Sequence, residues 1–415
     1  MRSRASCALV VVLVTSVVDA REPGCATTPA PDGYLDASRI ANAPFDAGDA
    51  TAALQSAISS GARRIWVPDM GTPWLINPIS LASDQEILFE KGVVIESKPG
   101  RAFYTDGYLF RGVSLKNVKL RGQGATLKMR RDLFLGGSPY KKSEHRHAII
   151  LYACQDVQLI GLRIQDTGGD GIMIGGLTKS SYNKNILVKE VLITNAYRNA
   201  ISVISAENLT IDNAVLINTN GTSPQSGIDF EPDHETQRLV NFQVRRCIIM
   251  NNKRLGISFP VSGLLTASDR ERGLPISGVI DHCTIVNNGF APFGGGVDKK
   301  WGDGLFMKWH LDKVRVSNCL FVQNAGAGFL VDGYAIDHLQ RAQFCAFWGN
   351  KQGGLKGQVG PGKGCVTGVR PLFVSRDPAH AHFMHLSPRT SDRLTRGSSR
   401  SRPIGARPVV NSKRP

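Results

Sequence analysis

From about residue 150 onward the chain alternates apolar and polar positions in short bursts, and the bursts recur with a period of roughly 20 to 35 residues. Cys247 to Asn252 reads CIIMNN, Cys283 to Asn288 CTIVNN, Cys319 to Asn324 CLFVQN and Cys345 to Asn350 CAFWGN. Earlier repeats keep the frame with the Asn alone, at Asn195 and Asn220. After each Asn comes a short turn, then Gly or Ala opening an alternating strand: GIMIG, AISVI, GIDFE, GISFP, GLFMK, GFLVD.

Short strands at this interval, separated by turns and almost no helix, predict an all-β solenoid: a parallel β-helix with one coil per repeat. Stacked coils lie about 4.8 Å apart, so equivalent residues form ladders along the axis. An Asn repeated at one turn satisfies backbone groups that the bend leaves unpaired. The four Cys occupy one inward position, where they act as small apolar residues; a Cys345–Cys365 bridge stays open beside packing. Upstream, residues 49–61 have an acidic start, Ala53, Leu54, Ala57 and Ile58 on one face, and a terminal Gly. That reads as a short amphipathic helix, and a solenoid end that would expose its core needs such a cap.

The order of that helix, then IWVPDMGTPWLINPISL, then ILFEKGVVIES resembles the opening of pectin-lyase-like right-handed β-helix proteins, and residues 144–176 resemble their central coils. The resemblance covers roughly residues 40 to 370. It implies a right-handed, single-stranded parallel β-helix and a polysaccharide as partner, since the superfamily includes polygalacturonases, other glycoside hydrolases, polysaccharide lyases and uronan epimerases. One fold hosting several chemistries leaves the reaction open.

The ends of the chain change the picture. Arg2 and Arg4 precede an apolar run from Ala8 to Val18, and Val18 and Ala20 stand before a cleavage point. This is the layout of an export signal, too short for a membrane span. The expected organisation is a signal peptide at 1–20, a linker at 21–40, the β-helix at 41–375 and a tail at 376–415. The net charge is +16, but much of it is terminal. Arg389, Arg393, Arg396, Arg400, Arg402, Arg407, Lys413 and Arg414 face Asp392 alone among Ser, Pro and Gly. Such a composition predicts a disordered basic tail whose removal leaves stability unchanged. The expectation is therefore an exported monomer with a polysaccharide partner, acidic sugars included, and neither nucleic acid nor membrane.

Candidate chemistry follows from the strand alternation. The first and third residues after each opening Gly or Ala are apolar, so the second and fourth face outward. Only GIDFEPD puts two acids there, Asp229 and Glu231, with Asp233 following. Residues two apart on a strand are about 6.8 Å apart, within the 6.5–9.5 Å of an inverting acid–base pair. Asp170, in the turn GGDG, stands two coils away and is the third catalytic candidate. The polygalacturonase pattern is incomplete: GGDG resembles its first element, but no acid pair and no Gly-His-Gly follow. The substrate-binding candidates are Arg198, Asp233, His234, Asp303, Lys308, Trp309, His310 and His145. Hydrolysis without a cofactor is the leading expectation. The alternatives are a lyase in which Asp229, Glu231 and Asp233 hold Ca²⁺, and a non-catalytic glycan-binding protein.

Overall fold

A computed structural model describes residues 28–261, 276–290, 301–311, 313–333 and 339–410. The expected export signal at 1–20 lies outside the described residues. Among the described residues the chain winds into three parallel sheets of 12, 11 and 10 strands, and each strand's sheet neighbours are three strands away along the chain. Every coil therefore gives one strand to each face, as the repeat predicts. The helix Thr51–Ser59 caps the N-terminal end and buries Ala53, Leu54, Ala57 and Ile58.

Inside the coils the apolar ladder is continuous. Ile172, Ile201, Ile228, Ile257, Leu305 and Phe329 pair in register and are fully buried. Phe230 stacks on Phe259 with centroids 4.5 Å apart. Cys247, Cys283, Cys319 and Cys345 line the interior as free thiols, and Cys365 is unbridged too, so the Cys345–Cys365 disulfide does not form. Close stacking also explains the opening Gly: a Cβ on Gly227 would meet the Gly256 carbonyl at 2.7 Å, and one on Gly256 the Gly304 carbonyl at 2.4 Å.

The repeated Asn-Asn divides two tasks between its residues. Asn251 and Asn287 adopt the left-handed conformation that Asn tolerates best. Asn252, Asn288 and Asn324 point inward; Asn252 Nδ2 donates to Asn288 Oδ1 at 3.0 Å, and Asn288 Nδ2 to Asn324 Oδ1 at 3.0 Å. The earlier coils differ from expectation. Asn195 belongs to the left-handed row, and Asn220 lies outside the inward row, whose place is taken by Thr219, with its N–H on Asn252 Oδ1.

The tail departs most from its reading. It is not disordered over its described part: Phe383, Met384, Leu386, Leu394 and Ile404 are buried against Ile248, Met250, Leu320 and Val322 on the outer face of the 11-stranded sheet. The reason lies in the strands, which are apolar on both faces and need cover outside as well as inside.

Candidate functional site

The 10-stranded sheet carries an outward row in register: Met173, Ser202, Asp229, Ser258, Phe306 and Leu330. Asp229 is anchored there because Ile228 and Phe230 on either side are locked into the core. Its side chain faces outward as expected but is fully buried, because side chains from the neighbouring turn and from Glu231 lie over it.

The covering group is Arg198, which enters from the turn before the strand Ile201–Val203. Its Nη2 donates to Glu231 Oε1 at 2.6 Å, and its Nη1 to Asp170 Oδ2 at 3.2 Å and Ser202 Oγ at 3.1 Å. Glu144 Oε2 stands 3.8 Å from its Nε. Burial alone would weaken the guanidinium, but Asp170 and Glu231 outweigh it and hold Arg198 firmly charged.

Asp170 is held from three sides. Besides Arg198, its Oδ1 accepts the Asn199 N–H at 2.9 Å, and His147 Nδ1 lies 3.4 Å from its Oδ2. His147 Nδ1 also accepts the Asp170 N–H at 2.9 Å. Burial lowers the pKa of His147, so the acceptor role of Nδ1 describes a neutral ring better than an ion pair does.

Asp229 and Glu231 behave as one unit. Asp229 Oδ2 accepts Asn199 Nδ2 at 3.4 Å, and the Ser258 hydroxyl beside it favours the charged carboxyl. The carboxyl of Glu231 is the acidic neighbour of the Asp229 carboxyl. Two neighbouring buried carboxyls make a second negative charge costly, so their titrations are linked. Burial and then Glu231 push Asp229 well above the usual carboxylate range. Burial raises Glu231 too, but Arg198 opposes it. Of the two, Asp229 is the carboxyl that burial and its acidic neighbour favour in the protonated form. The expected acid–base pair is therefore a coupled pair of buried carboxyls, with Asp229 the more strongly raised.

The other expected residues divide. Asp303, before the strand Leu305–Met307, takes the same place as Asp170: its Oδ1 accepts the N–H of Ala327 in the next coil at 2.6 Å. It is a buried turn cap, and burial pushes it up to about 6. Asp233 is exposed in the next turn, and His234 Nδ1 bonds Thr236 Oγ1 at 3.0 Å. Among the described residues no three His, Cys, Asp or Glu side chains converge as a metal-binding group, so Asp229, Glu231 and Asp233 do not form a cage. Trp309 packs against the core, and His310 follows it, half-buried. Lys308 pairs with Asp332 at 2.8 Å.

Lys308 also lines, with Glu231, Ser258, Phe306 and Trp301, a cleft of about 390 Å³. Trp301 meets Phe306 edge-on at 5.8 Å. A second cleft of about 380 Å³ lies upstream on the same face, with His145 at its rim beside His147, Tyr108, Arg111 and Tyr152. Residues missed in the sequence are His147, Ser202 and Ser258. The alternation of EHRH gave a signal for His147, which shares a strand face with His145.

Comparison with known proteins agrees with the architecture. A pectate lyase, Pel9A, superposes with a TM-score of 0.50 at 11% identity, over 80% of this chain and 89% of its own. The polygalacturonase from Erwinia carotovora ssp. carotovora gives 0.45 at 13% identity, over 77% and 95%. The hyperthermoactive exopolygalacturonase from Thermotoga maritima gives 0.43 at 12%, over 84% and 93%. No curated protein matches by sequence. The family model for the right-handed β-helix region matches residues 113–355. With more than half of its length inside that model and three parallel sheets built one strand per coil, the chain belongs to the right-handed β-helix family.

Proposed function

We propose that the chain is an exported enzyme that hydrolyses a polysaccharide, with Glu231 as the group that protonates the leaving glycosidic oxygen. The carrying observation is the buried, coupled carboxyl pair that opens, through Glu231 alone, into a cleft with aromatic walls. Asp229 is sealed from solvent, so its role is to hold the proton and pass it to Glu231. Arg198 keeps Glu231 oriented and prevents the site from carrying an uncompensated excess of negative charge. Glu144, on the solvent side of the same guanidinium, is the carboxylate placed to activate water. Trp301 and Phe306 offer ring faces and edges on which a sugar packs.

The arrangement favours hydrolysis over elimination. A lyase needs a cation free to neutralise a uronate carboxylate, and the charge of Arg198 is already divided between Asp170 and Glu231. The test is incubation with a panel of polysaccharides, reading new reducing ends and the ultraviolet absorbance of unsaturated products. Reducing ends without absorbance are expected, and their loss in Glu231→Gln ties them to this site. Absorbance would overturn hydrolysis, and no product with any polymer would overturn the enzyme. N-terminal sequencing of the protein from culture medium checks export, with a new terminus expected after Ala20.

A further inference from the structure

Where the 12-stranded and 11-stranded sheets meet, away from the sheet that carries Glu231, the docked C-terminal segment closes a cleft of about 630 Å³. Arg245, Arg246 and Arg315 line it from the coils, and Arg400, Arg402 and Arg407 from the segment. The arginines are not splayed on a loose tail. Gly405 N–H donates to the Asn318 carbonyl at 2.9 Å, Ala406 N–H to Thr284 Oγ1 at 2.9 Å and Ser399 N–H to Asn318 Oδ1 at 2.8 Å. Leu394 and Ile404 fix the segment further by burial.

Among the described residues, acids do not balance this charge. Asp212 pairs with Arg245 and Arg246. Asp281, the one acid in the lining, is taken by His282 Nδ1 at 2.8 Å, Ser317 Oγ at 2.7 Å and Asn318 Nδ2 at 2.7 Å. Arg407 bonds the Asn213 side chain rather than an acid. Arg315, Arg400 and Arg402 are exposed, with no side-chain hydrogen bond or ion pair among the described residues. Six arginines against two aspartates leave four positive charges around one concave space. Like charges gathered by packing repel one another, and an anion between them removes that repulsion.

We infer that this cleft binds a strand of anionic polysaccharide through its carboxylates or sulfates, as a second glycan site separate from that of Glu231. Guanidinium forks match planar carboxylates and sulfate oxygens. A nucleic acid duplex needs a far larger contact, typically about 1,000–2,500 Å². A single nucleic acid strand is bound by stacking on successive aromatic rings, and among the described residues this cleft is lined by one benzene ring, Phe344, and one imidazole, His282. The site holds the protein to a polymer while the opposite face acts, and it does not depend on the reading of Glu231.

The experiment measures binding of the full-length protein to polygalacturonate, heparin and a single-stranded oligonucleotide of equal charge, over a range of salt. Glu231→Gln is included so that turnover does not confuse the measurement. The comparison is Arg315→Gln/Arg400→Gln/Arg402→Gln, with each single change as a control should the triple variant melt early. Expected is binding to at least one of the two glycans in both wild type and Glu231→Gln, weakened about tenfold or more in the triple variant and with a shallower salt dependence. Equal binding by wild type and triple variant overturns the site. Tighter binding of the oligonucleotide than of either glycan overturns the ligand class. Hydrolysis retained by Glu231→Gln, with glycan binding intact, counts against the role of Glu231 and leaves this site standing.

Discussion

Arg198 and Glu231 come from adjacent coils and meet at 2.6 Å, and the same guanidinium reaches Asp170 one coil further back. One cation thus ties three successive coils together at the point where the buried carboxyl pair reaches the surface. Its loss should separate stability from chemistry. Arg198→Met leaves Asp170 buried without a cation, and breaking such a pair costs about 3–5 kcal/mol. Chemical denaturation should show this drop, and Asp170→Asn in the same background should recover part of it. A recovery of nothing would mean that the Asn199 N–H alone suffices for Asp170.

The coupled carboxyl pair makes a claim about pH. Glu231→Gln should lower turnover by about 10²-fold or more, the scale of a general acid. Asp229→Asn keeps the shape but removes the proton reservoir. In the wild type the pair gives up its last proton only at the raised pKa that burial imposes on Asp229. With Asn at 229, Glu231 titrates alone beside Arg198, so the alkaline limb of kcat/KM should move to lower pH. An unmoved limb would show that Glu231 does not draw on Asp229.

Asp303 gives a stability test independent of catalysis. Its folded pKa is about 6 against 3.8 for an ordinary Asp. A raised carboxyl favours the folded state when protonated, so this contribution is complete below about pH 3.8 and is lost as pH rises through about 6. The difference amounts to about 3 kcal/mol at most. Melting temperatures of wild type and Asp303→Asn should converge in acid and diverge toward neutral pH, with the variant the more stable there. Parallel curves across that range would show that Asp303 remains ionised.

The inward Asn row should tolerate no apolar substitute. Asn252→Leu removes the acceptor for the Thr219 N–H and the donors to Leu216 O and Asn288 Oδ1. Each buried group left unpaired costs about 1–3 kcal/mol. Urea unfolding should register a loss in that range, and Asn251→Gly, in the left-handed row beside it, a smaller one.

The C-terminal segment should prove part of the folded unit. Deleting residues from Arg389 onward uncovers Ile248, Leu320 and Val322 and discards Leu394 and Ile404, each worth roughly 1.5–3 kcal/mol when buried. A clear fall in melting temperature is expected by calorimetry. An unchanged value would restore the disordered tail that the basic composition suggested.

The repeat, the capping helix and the inward ladders were legible because a solenoid places each residue by its position within one coil, a local relationship that alternation encodes. The outward direction of Asp229 and Glu231 followed from the same period of two, and Asp170 from its place in the turn before a strand. What the sequence could not determine was which side chains meet across coils. Arg198 reaches Asp170 and Glu231 only because stacking brings the turn of one coil beside the strand of the next. The burial that raises Asp229 arises in part from that cover, which the sequence around it does not reveal. The tail was misread for the same reason. Leu394 and Ile404 carry no periodicity of their own, and their partners are the outer faces of strands far back along the chain. Local pattern determined the coil, and contact between coils decided the charges, the proton and the cover.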